Sequence, residues 1–147
     1  MNIRFVSLIA FVLLTGAAFL LPGCGEKTVE AELVISNEEF AITQIGATSY
    51  TVTARGMIRN VGDVDVRNVV IAAGCSSCGT AFRQARWYEP EVEKTDEQKT
   101  VIRFLGKGER ANYEVTGAAF LSTAGGPPPT ELPETLGAYI ISYEVAK

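Results

Sequence analysis

From Glu32 onward, hydrophobic and polar residues alternate with a period of two, as they do in β-strands that bury one face. In the clearest run, the residues predicted to share an apolar face are Tyr50, Val52, Ala54, Gly56 and Ile58. The opposite face of that run carries Thr51, Thr53, Arg55 and Arg59. The last segment repeats the alternation, with an apolar set formed by Tyr139, Ile141, Tyr143 and Val145. No segment has a long apolar pattern of period 3.6, so an all-β protein is predicted.

Other segments have the same strand-like character, and turn residues separate them. Ala111, Tyr113 and Val115 alternate with polar neighbours, and the remaining predicted strands are Ala31–Ile35, Phe40–Gln44, Val64–Ala73, Ala81–Tyr88 and Val101–Leu105. Thr95 and Gln98 have the spacing of a capping box for one short helical turn. About seven or eight short strands at this spacing predict a single antiparallel immunoglobulin-like β-sandwich over residues 32–147.

The middle of the chain is similar to a known class of small domains. Residues 56–62 read Gly-Met-Ile-Arg-Asn-Val-Gly and precede a strand rich in valine and isoleucine. Together they resemble the centre of immunoglobulin-like domains of the FxLYD type, and Leu105-x-x-Gly108-Glu109 resembles the turn into their next strand. At the hairpin that names that family, this chain instead has Ala-Gly-Cys-Ser-Ser-Cys-Gly at residues 73–79. The resemblance implies a sandwich fold in a bacterial lipoprotein or exported protein, and it carries over no functional residues.

The amino terminus has the organisation of a secretory signal peptide. Arg4 precedes an uncharged run over residues 5–21, and the run ends in the small residues Gly23 and Cys24. Leu-Pro-Gly-Cys at residues 21–24 resembles the bacterial lipoprotein signal, in which the cysteine is acylated and the chain is cut before it. We therefore expect residues 1–23 to be a lipoprotein signal peptide and residues 24–31 to be a palmitate-type anchor on Cys24 with its tether.

An uncleaved transmembrane helix is the alternative for this segment. Residues 5–21 are at the lower edge of the roughly 17–25 residues that span a bilayer. Gly16 and the Pro22-Gly23 pair that follows the apolar run favour the cleaved, lipidated form, since neither suits a permanent transmembrane helix. The expected location is therefore the extracytoplasmic side of the cell membrane or the outer membrane, with lipid as the membrane contact.

Composition restricts the function further. Without residues 1–23 the chain keeps 124 residues, the size of one domain, and loses only the charge of Arg4, so 12 basic and 17 acidic residues give a net charge of −5. This acidity argues against nucleic acid as a partner, because nucleic acid is bound by clustered lysine and arginine. The chain has no histidine, which excludes histidine-based catalytic triads and histidine zinc sites. No enzyme activity, cofactor or metal is expected.

The sharpest chemical motif is Cys75-Ser76-Ser77-Cys78. If Cys24 carries lipid, these two remaining cysteines favour a disulfide in an exported protein. Thiol–disulfide exchange is the competing function of the pair. That chemistry expects a helix after the motif to lower the pKa of the first thiol, and a strand-like run follows instead. Two thiolates also supply only half of a tetrahedral zinc site.

Trp87 and Tyr88, which follow Arg86, are the candidate binding residues. Exposed aromatic side chains beside arginines are common at contacts with proteins or polymers. In the alternative interpretation Trp87 fills the core and Tyr88 lies outside, since strand alternation buries one residue of an adjacent pair. The sequence thus predicts a lipid-anchored binding or structural module whose partner is an envelope protein or polymer.

Overall fold

Seven strands form an antiparallel sandwich in the computed structural model, which describes residues 31–78, 87–89, 93–123 and 126–147. Cys24, Arg86 and most of the predicted strand Ala81–Tyr88 lie outside the described residues. The described elements, with a single 3-10 turn at Asp96–Gln98, are β1 (Leu33–Gln44), β2 (Ser49–Asn60), β3 (Val66–Cys75), β4 (Trp87–Tyr88), β5 (Lys99–Leu105), β6 (Arg110–Ser122) and β7 (Leu136–Val145). These elements confirm the predicted all-β sandwich.

The strands divide into two sheets that face each other. One sheet has the order β1-β2-β6-β4 and the other has the order β5-β3-β7. The sheets bury one another's inner faces, and the buried residues with no exposed area include Val52, Ile58, Val69 and Ile71. Each such side chain contributes roughly 1.5–3 kcal/mol on leaving water. The apolar face predicted for β2 therefore forms part of the core.

The 3-10 turn forms as predicted, whereas two of the predicted strands are one strand in the structure. The 3-10 turn begins after Thr95, whose backbone N–H donates a hydrogen bond to Gln98 Oε1 at 2.9 Å, as the capping spacing predicts.

The two predicted strands at residues 31–35 and 40–44 are a single strand, β1. Its pairing with β2 shifts between Ser36 and Glu39, where Asn37 has a φ of 54°. This bulge explains why the alternation appears interrupted in the sequence.

The apolar face predicted for the last strand is not the buried one. Ala138 lies opposite Ala73 and Ile140 lies opposite Ile71, and both β7 residues pack against the core. The predicted apolar set, Tyr139, Ile141, Tyr143 and Val145, is 43–47 % exposed. The pairing with β3 also shifts by one residue after Ile140. Because Ala138 and Ile140 on one face and Tyr139 and Ile141 on the other are all apolar, the alternation does not identify the buried face, and the pairing with β3 decides it.

Gly56 allows an aromatic ring to cross the inner face of β2. It pairs with Tyr113 of β6, which is 5 % exposed, and a Cβ at position 56 would lie 2.6 Å from Tyr113 Oη. Among the described residues Oη has no hydrogen-bond partner. Burial, with a smaller contribution from the charge of Glu38, raises the pKa of Tyr113 to about 12. The ring therefore remains neutral in the core at physiological pH.

Replacement of Gly56 by alanine should destabilise the sandwich. The added methyl group overlaps the ring of Tyr113, and overpacking of this kind costs about 1–3 kcal/mol. Chemical denaturation of the purified protein measures the change. Gly137→Ala is the matched control, because a Cβ at that strand position meets no atom within 4 Å in the part of the chain that the structure describes. Equal denaturation midpoints for the two variants would contradict the packing described for Gly56.

Candidate functional site

The two ends of the sandwich differ in what they carry. At the amino-terminal end, β1 begins at Leu33 opposite Asn60, and Val66 of β3 pairs with both Leu105 and Val145. At the opposite end β3 ends at Cys75, so we call it the disulfide end. The turn between β1 and β2, the end of β6 and the start of β7 also lie there. The motif that sequence analysis singled out is therefore at the end opposite the start of β1.

The predicted disulfide is present between Cys75 and Cys78, whose Cα atoms are 5.6 Å apart. Cys75 is 1 % exposed and belongs to the core cluster, whereas Cys78 is half-buried. Thr135, just before β7, holds the disulfide loop in place. Its Oγ1 donates to Ser77 Oγ at 2.5 Å and lies 3.8 Å from Cys75 Sγ, and its carbonyl accepts the N–H of Ser76 at 3.2 Å. The disulfide loop is thus hydrogen-bonded to the residue that precedes β7, the neighbour of β3 in the sheet.

Trp87 and Tyr88 form β4 and pair with the end of β6. Trp87 lies opposite Leu121 and packs against the core cluster, and both aromatic side chains are half-buried. Tyr88 lies opposite Phe120, and their ring centroids are 6.1 Å apart. Strand alternation therefore gives the two aromatics different surroundings. The pair also places the next residue, Glu89, at the disulfide end.

Glu89 forms a partly buried ion pair above β3. Its Oε1 is 2.7 Å from Lys94 Nζ, and the two side chains are 32 % and 13 % exposed. The carboxylate reaches the strand because residue 74 is glycine: a Cβ there would lie 3.0 Å from Glu89 Oε1 and 3.8 Å from Tyr139 Cε1. Burial lowers the pKa of Lys94, but Glu89 and the Tyr139 hydroxyl raise it by more, so its net pKa lies above the ordinary value. Lys94 therefore stays charged and holds the carboxylate in position.

A cavity of about 440 Å³ lies beside this ion pair. The residues that line it come from the end of β3, the start of β7 and the position after β4: Gly74, Cys75, Ser76, Glu89, Thr135, Leu136, Gly137 and Tyr139. Gly74 and Gly137 are paired neighbours in the sheet, and among the described residues no atom lies within 4 Å of a Cβ built at Gly137. The floor of the cavity is therefore bare backbone at Gly137, whereas Glu89 lies over Gly74. Its walls offer a carboxylate, hydroxyl groups and one aromatic ring.

Two further cavities, of about 520 and 490 Å³, lie on the four-stranded sheet and share the ion pair of Arg55 and Glu114. Both side chains of that pair are about half exposed, at 61 % and 49 %, so water screens their charges. The Thr51 hydroxyl in the second cavity already donates to backbone carbonyls of Thr116 and Ala119. The disulfide end is the stronger candidate, because there a charged pair is partly buried beside open volume.

The sequence indicates part of this site but not the rest. The disulfide and the strand carrying Trp87 and Tyr88 border it, but the lining residues Thr135, Gly137 and Tyr139 come from the last part of the chain, where the alternation predicts only a strand with Tyr139 on its apolar face. Gly74 directly follows the predicted strand Val64–Ala73, and Gly137 precedes the predicted apolar set that begins at Tyr139, so neither was a strand glycine that could mark the close approach of another group. Lys94 had no signal either.

No protein-family model, curated protein or solved structure matches this chain. The likeness to FxLYD-type domains therefore stays a prediction. In the described residues, no three histidine, cysteine, aspartate or glutamate side chains are arranged to hold a metal ion. The same residues include no helix with the length and apolar character to cross a membrane. What the fold defines is an antiparallel β-sandwich with a disulfide and an open cavity at one end.

The disulfide should resist reduction. Opening it would disturb a buried cysteine and a loop attached to Thr135, so we expect Cys75 and Cys78 to stay joined below about −300 mV. Thr135→Val should raise the potential by about 20 mV, the two-electron equivalent of one hydrogen bond worth about 1 kcal/mol. Alkylation at stepwise redox potentials, read by intact mass spectrometry, measures both values. Opening near −200 mV would contradict a structural role and favour thiol–disulfide exchange.

Proposed function

We propose that this protein is a lipid-anchored, extracytoplasmic binding or structural module of the bacterial cell envelope. Lipid on Cys24 holds it to the membrane after removal of residues 1–23, and it performs no catalysis. Three features support the anchor: the apolar run over residues 5–21, the lipoprotein-like Leu-Pro-Gly-Cys sequence, and a disulfide of the kind that persists in oxidising compartments. Each methylene of an acyl chain contributes about 0.8 kcal/mol to such anchoring.

The observation that carries the binding role is the position of the cavity. The chain enters the domain at Leu33, at the amino-terminal end, and the cavity lies at the disulfide end. β3 connects the two ends with ten residues, a length of roughly 33 Å at the usual rise per residue. A lipid on Cys24 would therefore hold the amino-terminal end of the sandwich close to the membrane. The cavity at the disulfide end would then point away from the membrane.

The partner in this proposal is another envelope protein or a polymer. The net charge of −5 without residues 1–23 disfavours nucleic acid, which needs clustered cations. Thiol–disulfide exchange by Cys75 and Cys78 is the alternative function. It is less well supported, because Cys75 is 1 % exposed and the loop rests on Thr135 rather than at the start of a helix.

Cys24→Ala should release the protein from the membrane. In a bacterium that makes the full chain, we expect the parent protein to fractionate with membranes and to incorporate labelled palmitate, because acylation depends on the thiol of Cys24. The variant should lose the label. Cys78→Ala is the matched control, since it removes a cysteine that carries no lipid in this proposal and should keep the label. Equal labelling of parent and Cys24→Ala chains would contradict the anchor.

A photo-cross-linking phenylalanine at position 139 should report the binding site in intact cells. Tyr139 is 44 % exposed and lines the cavity, so we expect illumination to join the full chain to an envelope component of defined size or to insoluble polymer. The same group at position 143 is the control. Tyr143 is 43 % exposed on the same strand but does not line the cavity. Adducts of equal yield at both positions, or none at either, would contradict a binding role for the disulfide end.

A further inference from the structure

The cavity at the disulfide end is open where a side chain would normally lie. Gly74 and Gly137 are adjacent across β3 and β7, and both lack the Cβ that would cover the sheet there. The space above Gly74 is taken by Glu89, whose Oε1 would be 3.0 Å from a Cβ at that position. Among the described residues no atom lies within 4 Å of a Cβ built at Gly137. A flat ligand can therefore lie against the backbone of β7 beside a carboxylate.

The ion pair beside this space carries no net charge. Lys94 and Glu89 form a pair with 2.7 Å between Nζ and Oε1, and among the described residues no other hydrogen bond to the Glu89 carboxylate occurs. A charged ligand would gain no net Coulomb attraction from a neutral pair. A neutral ligand with hydroxyl groups, by contrast, can donate to Glu89 Oε2 and exchange hydrogen bonds with the hydroxyls of Ser76 and Thr135, which also line the cavity.

Tyr139 adds the apolar component. Its side chain is 44 % exposed and stands at the wall of the cavity next to the ion pair. An exposed tyrosine combines a flat apolar ring with a polar hydroxyl, and pyranose sugars have the matching combination of apolar C–H faces and hydroxyl rims. A cavity of about 440 Å³ is within the usual range for small-molecule sites, which combine apolar walls with a few well-placed polar groups.

Other ligand classes fit less well. A phosphate or nucleotide would need a free cation, whereas Lys94 is already paired with Glu89. A wholly apolar ligand would bury the carboxylate of Glu89 without a hydrogen bond to replace water, which is unfavourable. From the bare floor, the neutral ion pair and the exposed ring, we propose that this cavity binds one unit of a neutral saccharide, with Glu89 as acceptor and Tyr139 as the ring platform. The inference rests on the proposed binding function and names its ligand class.

Isothermal titration of the purified full chain tests the proposal, in a detergent without a sugar headgroup. The probes are the tetramers of N-acetylglucosamine, of β-1,4-linked glucose and of α-1,4-linked glucose. We expect at least one to bind with a Kd on the order of 0.1–1 mM. Binding should be about tenfold weaker in Tyr139→Ala, because the ring platform is lost, and unchanged in Tyr143→Ala. Failure of all three tetramers to bind overturns the proposal.

Gly137→Val separates loss of binding from loss of folding. The valine side chain extends into the empty space above residue 137 and suits a β-strand, so the variant should keep or raise the melting temperature yet bind no saccharide. Binding equal to that of the parent chain overturns the assignment of the cavity. If the cross-link at position 139 forms in cells but no tetramer binds, the binding module stands and its ligand is not a saccharide. If neither occurs, both proposals are wrong.

Discussion

The sandwich depends on one buried amide at the amino-terminal end. Asn60 is fully buried, and its Nδ2 donates to the carbonyls of Val64 at 2.7 Å and Leu105 at 3.2 Å while its Oδ1 accepts the N–H of Gly62. These bonds connect the last residue of β2 to the turn that crosses to the other sheet and to the end of β5. An unsatisfied buried amide would cost about 1–3 kcal/mol, so these bonds favour the crossing from β2 to the other sheet that the structure shows.

Glycines inside strands then determine what else can approach the sheets. On the inner face, Gly56 makes room for the ring of Tyr113, and the result is a filled core. On the outer face, Gly74 makes room for the carboxylate of Glu89, whereas no described residue occupies the side-chain space of Gly137 beside it. The same backbone property therefore supports packing in one place and leaves a cavity in another. Which outcome occurs depends on whether a second element supplies a side chain to fill the gap.

Under the proposed function, the arrangement also relates a lipid anchor on Cys24 to the candidate site. Strands of ten to thirteen residues separate the end where the chain enters from the end where the disulfide, β4 and the cavity lie. Cys75 belongs to the core cluster, and the loop that follows it is hydrogen-bonded to Thr135. Under the proposed function, the neutral, partly buried ion pair at this end suits recognition of an uncharged partner.

The sequence by itself determined the strand periodicity, the core face of β2, the capping of the 3-10 turn and the pairing of Cys75 with Cys78, because each depends on neighbours within a few residues. Only the tertiary structure decided which face of β7 is buried, since both of its faces carry apolar residues and the pairing with β3 selects between them. It likewise decided the candidate site. Glu89, Lys94 and Tyr139 are up to fifty positions apart in the chain, and no local pattern encodes their meeting above Gly74. Contacts between distant segments arise from sheet pairing, which a period of two does not specify.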